Sequence, residues 1–478
     1  MSSKNTSRRK FLKNTTIATA ATALLPDLLF AKNSFLRSVA TAPSEKVNLA
    51  CIGIGNRGQQ IIEEFAKTGL ANIVALCDVD MGAPQTQKIM GQFPQAKRFQ
   101  DFRQMFDKMS NEIDAVCIGT PDFSHFPITM MAMALGKHVY VEKPMARTFN
   151  EVELMMKAAE KYSKVVTQMG NQGHSEGNYF QFKTWTEAGI IKDVNKIVAH
   201  MNSARRWHGW DTNIKAFPAA ESTPSTLDWN IWQMQTFGHD YNKDFVNGQW
   251  RCWYDFGMGA LGDWGAHLLD TAHEFLNLGL PTEVKPLKLT GHNNFFYPTS
   301  TTLSYKFPKR GNMPKVEVMW YDGVDNLPPI PKGYGVQGLD PNIPPPSTGD
   351  IKGPKLNPGK IIYSKDLIFK GSSHGSTLSI IPEEKAKAMA AQLPPVPKSP
   401  SNHFKNFLLA CKGQEKTRSP FAIAGPLSQV FCLGVIAQWT GDKIKFDREK
   451  KIITNNKKAN ELLVGPPPRK DWEQYYKI

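Results

Sequence analysis

Six cysteines in 478 residues are too few and too scattered to build a disulfide-framed fold. None stands in a CxxC pair or in zinc-ligand spacing, so no metal site is expected. Cys51, Cys77 and Cys117 fall inside apolar, strand-like runs, where a thiol packs as a small hydrophobe. Also missing is an apolar run long enough to cross a bilayer as a clean helix, which argues against stable membrane insertion. Acidic residues are in deficit, 43 against 58 Lys and Arg, for a net charge of +15. Yet no Lys/Arg-rich block with interleaved aromatics occurs, so nucleic acid is not an expected partner. A basic, soluble surface accounts for the charge.

What is present begins with an address. Ser7-Arg8-Arg9-Lys10-Phe11-Leu12-Lys13 precedes a weakly apolar run from Thr15 to Phe30. A basic segment with paired arginines before an apolar one matches the twin-arginine export pattern. Residues 1–42 are therefore expected to be a leader and linker, and the chain to reach the periplasm. Residues 1–31 carry +4 of the net charge, leaving +11 for the remainder.

From Val47 strand and helix patterns alternate, as in a doubly wound parallel sheet, over about residues 44–168. An apolar run, Val47–Ile54, ends in Gly53-Ile54-Gly55-Asn56-Arg57-Gly58, and an amphipathic segment, Gln59–Thr68, follows. In that context the first glycine permits the tight turn and the second lets backbone approach a pyrophosphate. The third brings helix against strand. A second run, Ile73–Cys77, ends in Asp78, 25 residues after Gly53, where a carboxylate receives ribose hydroxyls and repels a 2′-phosphate. NAD is thus expected in preference to NADP. Two further strand ends carry Thr120-Pro121-Asp122-Phe123-Ser124-His125 and Glu142-Lys143-Pro144. Loops at the carboxyl ends of parallel strands are where ligands bind.

These motifs, in this order, resemble the Gfo/Idh/MocA oxidoreductases, and Gly259, Asp263, Gly265, His267 and Asp270 match that family's G-x-x-x-D-x-G-x-H-x-x-D segment. The leader, a Pro-rich insertion and a Trp-rich middle resemble its periplasmic, Bacteroidetes-type branch. The resemblance implies a Rossmann domain followed by an α/β domain with a large open, mainly antiparallel sheet over residues 169–478. It also implies a homodimer or homotetramer and a catalytic set of Lys143, Asp263 and His267. Gly53, Gly55, Asn56, Arg57, Gly58, Asp78, Thr120, Pro121, His125, Glu142, Lys143 and Asn171 would hold the nucleotide. At Gly170-Asn171-Gln172-Gly173-His174 the chain departs from relatives that carry an arginine soon after the asparagine, so their substrate specificity does not transfer.

In the second half, period-two alternation at Leu303, Tyr305, Phe307 and at Val316, Val318, Trp320 predicts half-buried antiparallel strands. Residues 325–359 have no period and read as a surface or lid loop; 426–439 read as an apolar helix packing toward the first domain. Asp263 and His267, four apart, share a helix face. Seven of the eleven tryptophans fall between Trp207 and Trp264, and flat aromatic faces suit sugar rings. Trp250, Arg251 and Trp264 are candidate pocket residues, with Asp263 and His267.

The expected chemistry is hydride transfer between a carbohydrate or polyol carbinol and a tightly held nucleotide. His267 would act as base, oriented by Asp263, and Lys143 would stabilise the alkoxide. One alternative is a redox-neutral glycosidase working through a 3-keto intermediate. Another, a non-catalytic sugar-binding protein, is disfavoured by the intact Lys143, Asp263 and His267.

Overall fold

A computed structural model describes residues 45–202, 211–246, 248–335 and 356–478. The twin-arginine segment, Trp207 and much of the Pro-rich insertion lie outside the described residues.

The strands of the first half are short and, save the exposed edge strand at Lys97–Phe99, free of charged residues and largely covered on both faces, as parallel strands must be. They are β1 (Val47–Ile52), β2 (Ala71–Cys77), β3 (Lys97–Phe99), β4 (Ala115–Ile118), β5 (His138–Val141) and β6 (Thr167–Met169). All pair in parallel, in the order β3-β2-β1-β4-β5-β6. The connecting helices are α1 (Arg57–Lys67), α2 (Pro84–Gln92), α3 (Phe102–Met109), α4 (His125–Ala134) and α5 (Phe149–Lys161). Helix α5 starts at a capping box between Thr148 and Glu151. The chain order reverses beside β1, so the crevice between β1 and β4 is the expected ligand edge of a doubly wound sheet.

The second sheet has nine strands: β7 (Lys196–Met201), β8 (Glu283–Thr290), β9 (Ser300–Phe307), β10 (Val316–Asp322), β11 (Gly359–Tyr363), β12 (Ile368–Gly371), β13 (Ser379–Ile381), β14 (Ile444–Asp447) and β15 (Ile452–Ile453). Their order is β13-β12-β11-β7-β10-β9-β8-β14-β15, antiparallel except for β7 beside β10. Helices α6 (Gly177–Glu187), α7 (Trp229–Gln233), α8 (Gly259–Phe275), α9 (Glu383–Met389), α10 (His403–Cys411), α11 (Phe421–Thr440) and α12 (Lys457–Leu462) complete the chain.

Two expectations are corrected, both on one helix. The helix foreseen at 426–439 begins at Phe421 and holds Pro426 inside it. By length and composition it could cross a bilayer, contrary to the sequence reading, but it is mostly buried within the protein. It packs against α5 of the first domain, where Gln429 donates to Glu153 (3.0 Å) and the Phe421 amide to the Thr167 hydroxyl of β6 (3.2 Å), and against α8 and β8 of the second. The first described residues of the 325–359 excursion are mostly exposed, as a surface loop should be, and are pinned by a few buried anchors. Asn326 is buried and ties the Thr301 and Asp322 carbonyls, Tyr334 is buried, and β11 begins at Gly359. The chain after 169 also returns to the first domain in places. Phe404 and Phe407 of α10 pack on Phe65 and Tyr140 of the first domain, and Trp472 and Tyr475 pack on Phe102.

Candidate active site

The glycine loop shows why its residues are bare. Gly53 has φ +74°, and a Cβ on it would sit 2.6 Å from the Thr120 side chain; one on Gly58 would sit 1.8 Å from the Gly53 carbonyl. The turn and the helix behind it therefore require glycine at both places. Asp78, at the end of β2, braces this loop. It accepts hydrogen bonds from the Ile54 amide (2.9 Å) and the Asp80 amide (3.0 Å). Its oxygens retain lone pairs for two hydroxyls.

A cavity of about 960 Å³ opens along this edge. Of the sequence-predicted residues, Gly53, Gly55, Asn56, Arg57, Asp78, Thr120, Pro121, Glu142, Lys143, Trp250, Arg251, Asp263, Trp264 and His267 line it. Gly58, His125 and Asn171 do not. The His125 ring is wedged 2.8 Å from the carbonyls of both Thr120 and Pro144, fixing two of the strand-end loops to each other. Asn171 is buried, accepting from the Ser419 hydroxyl (2.6 Å) and donating to Asp270 (3.4 Å). Arg57 reaches Glu142 at 3.2 Å. The glycine cradle, the Asp78 carboxylate and the cavity between them fit a dinucleotide.

At the end of β5, Lys143 projects toward α8. Its ammonium donates to Asp263 twice, to the backbone oxygen at 2.7 Å and to Oδ1 at 2.8 Å. Asp263 Oδ1 also lies 3.7 Å from Arg251 Nε, while Arg251 Nη1 pairs with Asp122 at 2.7 Å. The Arg251 guanidinium rests on the Trp250 ring at 4.3 Å. Two cations and two carboxylates are thus interleaved out of water. Burial pulls the Lys143 ammonium below its ordinary value, Asp263 opposing and Arg251 assisting.

His267 lies one turn beyond Asp263, as the spacing predicted, but Asp263 is engaged by Lys143 and not by the His267 Nδ1. That nitrogen is buried without a hydrogen-bond partner among the described residues. The ring stacks instead on His374, with centroids 3.9 Å apart and planes 25° from parallel, and Trp264 stands edge-on to both. Burial first, then the neighbouring His374 and Lys143, hold His267 well below the usual imidazole value. It is therefore a neutral base at neutral pH. His374 was not foreseen. It sits in the β12–β13 loop with φ +52°, its amide donating to the His267 carbonyl at 3.2 Å. Asp122 stood inside a quoted motif, and its charge beside a strand end was the signal available for it.

The same face of α8 continues to Asp270 and Glu274, which receive the two nitrogens of His174 at 3.2 and 2.5 Å. Of the Trp-rich middle, Trp232, Trp250 and Trp264 reach the cavity. Trp229 stacks on Trp232 at 4.5 Å, and Trp253 is buried against Phe245 and Phe296, so part of that cluster is packing. Among the described residues no three His, Cys, Asp or Glu side chains are grouped to hold a metal ion.

Over 185 residues, 34% of this chain and 39% of the relative, the chain is 29% identical to glycosyl hydrolase family 109 protein 2 of Shewanella sp. (strain ANA-3). Over 187 residues, 35% and 40% of the two chains, it is 32% identical to an alpha-N-acetylgalactosaminidase of Shewanella oneidensis. The matched stretch spans about two fifths of these curated relatives. In fold, it is similar to the WlbA dehydrogenase of Chromobacterium violaceum, solved with NADH and UDP-GlcNAcA. The TM-score is 0.56 at 14% identity, covering 86% of this chain and 99% of the other. Residues 47–169 match the NAD-binding Rossmann fold of the oxidoreductase family Gfo/Idh/MocA, and residues 181–289 match that family's C-terminal alpha/beta domain. With both domains present in this order and the two sheets built accordingly, the chain belongs to the Gfo/Idh/MocA oxidoreductase family.

Proposed function

We propose that this protein oxidises a carbinol of a carbohydrate with NAD held in the cavity. The observation that carries the reading is the Lys143–Asp263 ion pair, set beside a neutral His267 on the wall shared with the glycine loop. NAD, when bound, supplies a hydride acceptor. The chain's own residues handle the proton and the charge. His267 takes the hydroxyl proton, and Lys143, held in place by Asp263, stabilises the oxygen as it gains negative charge. Trp250, Trp264 and Arg251, the last held from behind by buried Asp122, offer apolar faces and a directed polar group to a sugar ring. Asp78 and Asp80 both carry negative charge where a 2′-phosphate would lie, which favours NAD over NADP.

The test is direct. The nucleotide released on denaturing the purified protein is identified by mass and absorbance, and the loaded protein is then mixed with a panel of sugars at 340 nm. Recovery of NAD(H), with a spectral change on sugar addition, is the expected result. NADP in its place, or no response to any sugar, overturns the assignment.

The glycosyl hydrolase family 109 relatives favour a second reading. The hydride is returned to the same sugar within one turnover, and the net result is glycoside cleavage. Cleavage of an aryl N-acetyl-α-galactosaminide with no net NADH decides for it. We further propose export by the twin-arginine leader and assembly as a homodimer or homotetramer, tested by cell fractionation of an Arg8→Lys, Arg9→Lys variant and by light scattering.

A further inference from the structure

Between β7 and α8 the chain leaves the second domain and returns to the first. Its residues 224–231 run along the carboxyl ends of β2 and β3. The Asp228 amide donates to the Val79 carbonyl at 2.9 Å, and the Met81 amide to the Thr226 carbonyl at 3.3 Å. Gln100 Nε2 donates to the carbonyls of Val79 (2.8 Å) and Thr226 (3.0 Å), bridging the two segments. The Thr226 hydroxyl donates to Asp80 Oδ1 at 2.7 Å. A Cβ on Gly82 would stand 2.3 Å from the Thr226 methyl, so the close approach depends on a bare position there.

The inner side of this segment presents Pro224, Leu227 and Ile231 to the cavity, whose wall also holds Val79 and Phe102. This is the Asp78 end. Strand β2 stands three positions from β5, about 14 Å at ordinary strand spacing, so the segment covers a part of the cavity remote from Lys143. A ribose held at Asp78 would carry its base into the gap between these apolar side chains. A flat purine with two apolar faces is the chemistry that such a gap receives.

We infer that residues 224–231 form a strap that completes a purine-nucleoside subsite and retains the adenosine half of the dinucleotide. The inference rests on the nucleotide part of the functional reading and is independent of the sugar. The Thr226–Asp80 and Gln100 hydrogen bonds latch the strap, and Leu227 and Ile231 cover the base. Release of the nucleotide then requires the latch to open.

The test uses the full protein, stripped of nucleotide and reloaded with NADH. Release is followed by the loss of NADH fluorescence after mixing with excess NAD. Thr226→Val removes the side-chain bond of the latch with little change of shape, and Leu227→Ala removes part of the cover. Each is expected to speed release by about tenfold or more, because changes at such a contact fall mainly on the off-rate. Affinity for nicotinamide mononucleotide, which lacks the adenosine half, should match that of the parent in both variants. Equal NADH release from parent and variants overturns the strap, as does an equal loss of affinity for both ligands. A parent that binds no NADH overturns the nucleotide assignment and the strap together. Sugar turnover plays no part in the readout, so a wrong carbohydrate assignment leaves the result standing.

Discussion

Replacing His174 with glutamine tests the buried ionic group on the far part of α8. His174 is 1% exposed, with one ring nitrogen on Asp270 and the other on Glu274. Burial alone would strip its proton. The hydrogen bonds and charges of the two carboxylates outweigh that and raise its pKa from 6.5 to about 9. Asp270 is lowered in return: burial works to raise it, and His174 prevails. A group whose folded value is raised stabilises the fold fully below its unfolded value, and that stability is lost as pH climbs through the folded value. The shift from 6.5 to about 9 corresponds to about 3 kcal/mol, present near pH 6 and gone above about pH 9.5. His174→Gln has no proton to lose and leaves two carboxylates facing each other. Urea midpoints of parent and variant, measured in steps from about pH 6 to 9.5, should lie far apart at the acid end and converge at the alkaline end. A gap of constant size across that range would refute the claim that His174 is held as a cation.

Lys143→Met should cut hydride transfer by at least about 100-fold while NADH affinity stays within a few-fold, because Lys143 acts on developing charge. Transient absorbance at 340 nm with calorimetry decides it, and equal losses in both would assign Lys143 to nucleotide binding. Calorimetry on stripped protein should give NAD tighter than NADP by about tenfold or more, with the gap narrowing in Asp78→Ala; tighter NADP would remove Asp78 from ribose recognition. His374→Gln removes a neighbour that holds His267 down, so the acid limb of the rate–pH profile should move to higher pH. An unmoved limb would mean that the stacked rings do not share a titration.

The parts of the site that could be read from sequence are those that a parallel sheet forces to one edge. Gly53, Asp78, Thr120 and Lys143 each follow an apolar strand, and strand ends in such a sheet gather without further information. Asp263 and His267 were legible for a related reason: one helix turn puts them on one face. His374 was not. It stands among Ser372, Ser373 and Gly375, between strands of four and three residues, too short to show a period. The strap was hidden likewise, since residues 224–231 are shaped by hydrogen bonds to the segments that follow β2 and β3, which no local pattern encodes. Helix α11 was read short because Pro426 looks like a first-turn residue. Here the helix starts at Phe421 after Pro420, and its burial in the core tolerates the backbone bond that Pro426 removes. The role assigned to Asp263 failed for another reason. Sequence spacing brings it near His267, but cannot say that a lysine 120 residues earlier would claim its oxygen.

The return of the chain to its own beginning governs how the protein can be made and rearranged. Phe65, Tyr140 and Phe102 belong to the part synthesised first, yet their covering partners are Phe404, Phe407, Trp472 and Tyr475. At ordinary elongation rates the early half waits on the order of tens of seconds with raw apolar surface before those rings emerge. The nucleotide-binding half is thus not a cassette. Cut after residue 169, or grafted onto another partner, it would carry an unsealed flank on each of two faces and aggregate unless α10 and the extreme C-terminus travelled with it.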